Sequence, residues 1–239
     1  TPLSNPIPEK IATGEIGYGF NYRTLSVMLN GYYTQWMDKS VTKAIGSWNG
    51  PRACIPNIDA RHMGIELEAS YQPLEWLRVY GFFTIGNWRW TNDVNFTLFN
   101  ELNEKIGEYH AYIKNLHVGN APQTSAMLGL SCMPVSGLTL GVDFNYYGRH
   151  YADFAAADRT DEKDRAEAWK LPDYSTVDLN LNYDFKMGTF RGQLFGNVNN
   201  LFNRKYISDA LDGSDHTRET AVVWYGFGIT WTAGLRISF

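Results

Sequence analysis

The sequence lacks most of the features that would place a chain at a glance. Only 2 of its 239 residues are cysteine, and no Cys-x-x-Cys or Cys/His spacing is present, which argues against a structural zinc. No stretch approaches 18 uncharged apolar residues, so helical membrane spans are excluded. The 21 basic residues are outweighed by 25 acidic ones, for a net charge of −4. That balance gives no basic footprint for nucleic acid. The first residues do not read as a signal peptide, so an exported protein would be represented here by a mature piece or a fragment. Charge is sparse at 19%, and a hydrophobic fraction of 44% is too high for a disordered chain. What the sequence has in excess is rings: 8 Trp, 15 Tyr and 13 Phe.

Period-two alternation dominates the chain. Tyr225, Phe227, Ile229, Trp231, Ala233, Leu235, Ile237 and Phe239 alternate with Gly226, Gly228, Thr230, Thr232, Gly234, Arg236 and Ser238. Successive side chains of a strand point to opposite faces, so this reads as one two-faced strand of about 15 residues, long against the usual ~5–6. The pattern recurs with Val177, Leu179, Leu181, Tyr183 and Phe185, with Leu138, Leu140, Val142, Phe144 and Tyr146, and with Met63, Ile65, Leu67, Ala69 and Tyr71. Strands are expected at 12–22, 25–37, 59–72, 76–90, 121–134, 138–148, 173–185, 189–200 and 223–239.

The connections alternate in length. Tyr22–Thr24, Gln72–Glu75, Pro134–Gly137 and Lys186–Thr189 are tight, whereas 38–58, 91–120, 149–172 and 201–222 are long. Long antiparallel strands in up-and-down order, with short turns at one end and long loops at the other, describe an all-β transmembrane barrel with periplasmic turns and extracellular loops. Rings gather at both strand ends, as girdles at two headgroup layers require: Tyr22, Tyr71, Trp76, Tyr183, Phe190 and Phe239 at the short-turn end, and Tyr33, Trp36, Trp88, Trp90, Tyr146, Trp224 and Tyr225 at the other. A soluble sandwich would also alternate, but its outer face has no reason to carry two belts of rings.

Nine strands ending in the periplasm place the start of the first strand outside. A complete bacterial barrel has an even count and both termini periplasmic, so the chain reads as the C-terminal part of a larger barrel. Val94–Phe99 and Ile106–Ile113 are expected to form an additional hairpin at the rim, which leaves the parity intact. Cys54 and Cys132 fall at opposite ends of a wall about 25 Å tall, while a disulfide needs Cα atoms within about 7 Å. No bridge is expected.

Several segments resemble one known family. Gly196-Asn197-Val198-Asn199-Asn200-Leu201-Phe202-Asn203-Arg204-Lys205-Tyr206 is similar to the NVNNLF-x-x-x-Y segment of TonB-dependent outer-membrane receptors. Asn5-Pro6-Ile7-Pro8-Glu9-Lys10 with Glu15-Ile16-Gly17-Tyr18 resembles their N-P-x-L-K-P-E…Y-E-x-G strand start, shortened by a Leu-Lys pair. Gly234-Leu235-Arg236-Ile237-Ser238-Phe239 looks like the C-terminal assembly strand of outer-membrane barrels. The blocks Lys114–Thr124 and Trp169–Tyr174 look like those of Bacteroidetes receptors. The resemblance implies a 22-stranded barrel around an N-terminal plug, of which this chain would hold strands 14–22. It also implies import driven by TonB acting through the plug; whether a surface lipoprotein lid caps the barrel is left open by the sequence.

Chemistry is weighed against plainer roles. Leu235, Ile237 and Phe239 are expected to pair with barrel-assembly machinery by strand addition, while also anchoring the lower girdle among outer-membrane lipids. Glu66, Glu68, Arg78, Asp143, Asp178, Asn180, Asn182, Asp184, Arg191, Gln193, Asn197 and Arg236 share the polar face, since Arg or Lys facing lipid costs about 2–4 kcal/mol. They read as a structural network first and a substrate track second. Asp209, Asp212, Gly213, Asp215 and His216 miss the EF-hand spacing and read as a solvated loop, as does the mixed-charge stretch 158–167. The histidines are scattered; His150 beside Tyr151 and Asp153 is the nearest approach to a catalytic constellation, and no enzyme activity, cofactor or metal is expected. The rings of the long loops, Trp48, Phe99, Tyr109, Tyr112, Tyr151, Phe154, Trp169 and Tyr206, are expected to be exposed and to contact a small-molecule, glycan or peptide ligand. A passive pore or adhesin without energy coupling is the competing reading.

Overall fold

The computed structural model describes residues 7–44 and 50–239. Among the described residues thirteen antiparallel strands form: β1 (Lys10–Tyr22), β2 (Leu25–Ala44), β3 (Arg52–Leu74), β4 (Leu77–Trp90), β5 (Val94–Phe99), β6 (Lys105–Ala111), β7 (Pro122–Val135), β8 (Leu138–His150), β9 (Tyr174–Met187), β10 (Phe190–Asn199), β11 (Ile207–Leu211), β12 (Val222–Tyr225) and β13 (Thr230–Ser238). Nine of them, in the order β1-β2-β3-β4-β7-β8-β9-β10-β13, make one continuous wall. Each pairs with its neighbour in sequence apart from the inserted hairpins. Adjacent wall strands at one end are joined by two-residue turns, such as Arg23–Thr24 and Ser136–Gly137. Gly137, at φ 84°, supplies the left-handed conformation that such tight turns demand.

The wall has no interior core. Its outward row keeps large apolar groups in the open: Ile16 is 80% exposed, Leu128 57% and Trp231 73%. Among the described residues neither a second sheet nor a helical layer covers them, as expected of a surface that meets hydrocarbon. On β3 the outward residues run Tyr71, Ala69, Leu67, Ile65, Met63 and then Arg61. Ten residues at about 3.3 Å each, tilted by roughly 40°, climb about 25 Å, the height of the apolar band.

The other face is polar and internally bonded. Asp143 and Asp178 stand directly opposite across β8 and β9, a like-charge pair that would repel if left bare. Asp143 accepts from the Tyr80 hydroxyl and from Asn180 Nδ2, both at 2.7 Å. Asp178 accepts from Asn145 Nδ2 at 2.9 Å and from the Asn200 amide at 2.7 Å. Gln193 donates to Asp184 at 3.1 Å, and Arg78 donates to Ser70 at 2.9 Å. The lumenal network expected from the alternation is present.

Three expectations need correction. The segment 38–58 is not a long loop: β2 and β3 continue pairing as far as Ala44 and Arg52, through irregularities between Trp36 and Val41. At 23 residues β3 is far longer than the apolar band requires, roughly 75 Å if extended, so its upper part stands clear of the membrane. Residues 223–239 are not one strand. β12 pairs with β11 in a separate two-stranded sheet, and only β13 joins the wall. Trp224 and Tyr225 therefore belong to that small sheet rather than to the upper girdle. The break lies where side chains capture the backbone: Asn203 Oδ1 accepts from the Ile229 amide, and Asn200 Nδ2 donates to the Phe227 carbonyl. The hairpin expected at the rim is present as β5–β6.

Candidate functional site

The long connections fold together into a cap above the wall, and the cap is where burial occurs. The β5–β6 hairpin folds back so that Ala53 and Cys54 of β3 pair with Leu98 and Thr97 of β5. This brings Ala53, Ile55, Ile58, Val94, Phe96, Ala111, Ile113 and Leu116 into one buried cluster. A second cluster joins Ala152 and Leu171 of the β8–β9 connection to Ala210 of β11. Both cysteines are free, and Cys54 is buried beneath the hairpin.

The connections 151–173 and 200–229 are bound by a charged knot. Arg159, only 2% exposed, donates from Nη2 to Asp212 Oδ2 at 2.7 Å and from Nη1 to the Ala166 carbonyl at 2.9 Å. Its guanidinium lies 4.9 Å from the centre of the Phe154 ring. His216 sets Nδ1 2.6 Å from the same Asp212 oxygen and Nε2 3.0 Å from Asp164 Oδ1. Asp212 Oδ1 accepts from the Trp169 amide at 3.0 Å. Backbone bonds run beside it, Asp153 N to Ala210 O at 2.9 Å and Asp212 N to Asp153 O at 2.7 Å. Most of 158–167 is solvent-exposed, as expected of a solvated loop, but the buried Arg159 guanidinium pins it to 209–216, which the sequence reading does not anticipate. Only Ala156–Asp158 forms a short 3-10 turn there.

A second set of contacts ties the cap to the upper end of β4. His117 lies opposite Arg89, donates its amide to Glu167 Oε1 at 2.8 Å, and holds Nδ1 2.7 Å from Oε2. Burial pushes its imidazole below its ordinary pKa; Glu167 pulls it up, and Arg89 and Arg149 push it down again. Asp93 binds the Lys114 amide at 2.8 Å and Arg165 Nη1 at 2.9 Å. Burial opposes its ionisation, but these donors and the Arg165 charge hold its carboxyl below the usual range. Gly119 lets two backbones meet: a Cβ there would lie 2.7 Å from Asp153 Cα.

The rings expected to be exposed in loops are mostly half-buried, because they stack on the cap's own side chains. Tyr151 lies flat on His117 at 3.9 Å, and Tyr206 on Tyr174 at 4.1 Å. Tyr112 meets His110 edge-on at 4.6 Å and carries Arg165 over its face at 4.9 Å. Trp169 packs on the Ala152 cluster, and Phe154 on the Ile55 cluster. Phe99 ends β5 opposite Arg52 and is half-buried. Among the described candidates only Tyr109 is exposed, at 45%, and it stacks on Phe96 at 5.5 Å. Trp48 lies outside the described residues. His150, Tyr151 and Asp153 do not converge: both ring nitrogens of His150 are buried without a partner, while Tyr151 stacks elsewhere.

Two cavities open in the cap. One of about 220 Å³ is lined by Ile58, Trp90 and Phe154, with Lys39, Lys43 and Asp153 around them. The other, more open, of about 540 Å³, is lined by Cys54, Phe96, Glu108, Tyr109 and His110. The smaller can hold an apolar or flat group against two rings, with ammonium groups beside it for an anion. Of the sequence candidates it uses only Phe154. Lys39 and Lys43 escaped notice because they were read as part of an irregular loop.

With this architecture in view, residues 3–201 match the family described as TonB dependent receptor-like, beta-barrel. The chain belongs to that family. It is an outer-membrane β-barrel chain, and its nine-stranded wall is a piece of a larger barrel. It is similar to the ferrichrome outer membrane transporter/phage receptor of Escherichia coli (strain K12), 32% identical over 80 residues that make up 33% of this chain and 9% of the relative. Among solved structures it resembles the copper transporter OprC, with a TM-score of 0.64 at 18% identity, covering 97% of this chain and 32% of that one. It also resembles BauA, the ferric preacinetobactin receptor from Acinetobacter baumannii, with a TM-score of 0.62 at 19% identity, covering 95% and 29%. The receptor chain thus spans about a third of the length of these solved structures.

Proposed function

We propose that the whole receptor captures a scarce nutrient at its extracellular cap and imports it with energy supplied through TonB. The ligand we favour is a metal chelate with a flat or apolar body and negative charge; a glycan, peptide or vitamin is the alternative cargo. The observation that carries this reading is the cap cavity, where Trp90 and Phe154 offer ring faces and Lys39 and Lys43 offer cations. The names of the relatives, which concern ferrichrome, copper and ferric preacinetobactin, point the same way. Energy coupling would require a plug and a TonB contact outside the present wall. We further infer a receptor of Bacteroidetes type and no catalytic role for the barrel.

The test is uptake by cells carrying the full-length receptor, fed labelled ferric chelates with and without functional TonB. TonB-dependent accumulation that drops on Trp90→Ala or on Lys39→Gln/Lys43→Gln, with the barrel still at the surface, supports the proposal. Accumulation that continues without TonB would reveal a passive pore and overturn it.

A further inference from the structure

The upper edge of the lipid-facing surface carries an unusual arrangement. Arg61 on β3 and Arg89 on β4 are direct cross-strand partners. By the alternation both occupy the outward face, one position above Met63 and Asn87 and two above Ile65 and Ile85. Like charges set opposite each other are destabilising unless a counter-charge intervenes. Arg89 has one carboxylate nearby, Glu167 at 3.6 Å, and also contacts Asn87 and the Asn115 carbonyl. No carboxylate pairs with Arg61 among the described residues, and its buried Nε has no hydrogen-bond partner.

Directly below lies a groove of about 800 Å³. Ile16, Gly31, Met63, Ile65 and Ile85 are among its lining residues, together with Glu15, Asn87 and Arg149, whose Nη1 donates to the Gly86 carbonyl at 2.9 Å. The groove exists because Gly14 and Gly31 interrupt the ridge of large side chains: a Cβ on Gly14 would meet nothing within 4 Å, and one on Gly31 nothing nearer than 3.8 Å. Its walls are continuous with the exposed apolar belt, so the material that meets it in place is bilayer hydrocarbon.

We propose that this face is a specific seat for an outer-leaflet lipid bearing a phosphate monoester, with an acyl chain in the groove and the phosphate on Arg61 and Arg89. A phosphate satisfies what the structure leaves open: it supplies the missing counter-charge, and guanidinium forks bind its oxygens in pairs. The height matches, because the arginines cap the apolar band where headgroups begin. The seat lies on the outside of the wall and is independent of the transported cargo.

The experiment measures lipid binding to the full-length receptor in neutral detergent, using dipalmitoyl phosphatidic acid, dipalmitoyl phosphatidylcholine and inorganic phosphate as probes. The unaltered receptor is expected to bind phosphatidic acid at least about tenfold more tightly than phosphatidylcholine, with millimolar inorganic phosphate failing to displace it. Arg61→Gln/Arg89→Gln is expected to abolish the preference while phosphatidylcholine binding persists. Gly31→Leu, which fills the groove and leaves the arginines in place, is expected to weaken both lipids. Equal binding of the two lipids by the unaltered receptor, a preference that survives in the arginine double variant, unchanged affinity in Gly31→Leu, or displacement by inorganic phosphate alone would each overturn the proposal.

Discussion

Replacing Arg159 with Met should open the cap without unfolding the wall. The guanidinium is 2% exposed, and its partner Asp212 has a side chain just as buried. Removing the cation leaves that carboxylate with His216 Nδ1 at 2.6 Å and the Trp169 amide at 3.0 Å as its remaining donors. Breaking a buried ion pair from one side costs about 3–5 kcal/mol. The loss is local, because the knot joins connections that unfold separately from the strand ladder. Between about a hundredfold and a few thousandfold more opening is therefore expected at 209–216 and 158–169. Hydrogen exchange on the full-length receptor in detergent reads this directly, with the wall amides as internal reference. Arg159→Met/Asp212→Leu, which removes both charges, should recover most of the protection. If the single variant exchanges like the parent, or if the double variant opens as far as the single, the knot does not hold the cap.

Deleting Phe239, whose ring meets Phe190 edge-on at 6.4 Å, should lower the amount of heat-modifiable barrel in the outer membrane, as gel mobility before and after boiling will show. Asn180→Leu removes a 2.7 Å bond to Asp143 opposite Asp178, and should cost about 1–3 kcal/mol, read as a lower urea midpoint of the wall. Acid should loosen the cap through His117. Burial holds its folded pKa below the unfolded value, near 6.5, so the unfolded state takes the proton first. The stabilisation is complete above about pH 6.5 and fades as pH falls toward the folded pKa. Proteolysis of the cap should be faster at about pH 5.5 than at about 7.5, and His117→Asn should flatten that difference.

The wall was legible from residue order because each strand separates two solvents. Ile65, Leu67 and Tyr71 alternating with Glu66, Glu68 and Ser70 report hydrocarbon on one side and a wet lumen on the other, and period two carries that contrast without reference to any distant residue. Loop lengths added the sidedness, and all nine wall strands followed. Alternation carries no information about which backbone a strand pairs with. The same rhythm runs through Trp224, Tyr225 and Trp231, yet Asn200 and Asn203 intercept the chain between them, giving the first two to β11 and the last to β10.

The cap was not legible for the same reason. Arg159, Asp164, Asp212 and His216 look like hydrophilic loop residues when taken one by one. Only convergence in space takes Arg159 and Asp212 out of water and turns the set into a fastener. The loop rings expected to be exposed are largely packed on other side chains of the cap, as Tyr151 on His117 and Tyr206 on Tyr174 demonstrate. The amino-acid order alone settled what each strand faces, since that choice is made residue by residue. Tertiary structure decided what the connections do, because burial there depends on partners some fifty positions away, as between Arg159 and Asp212.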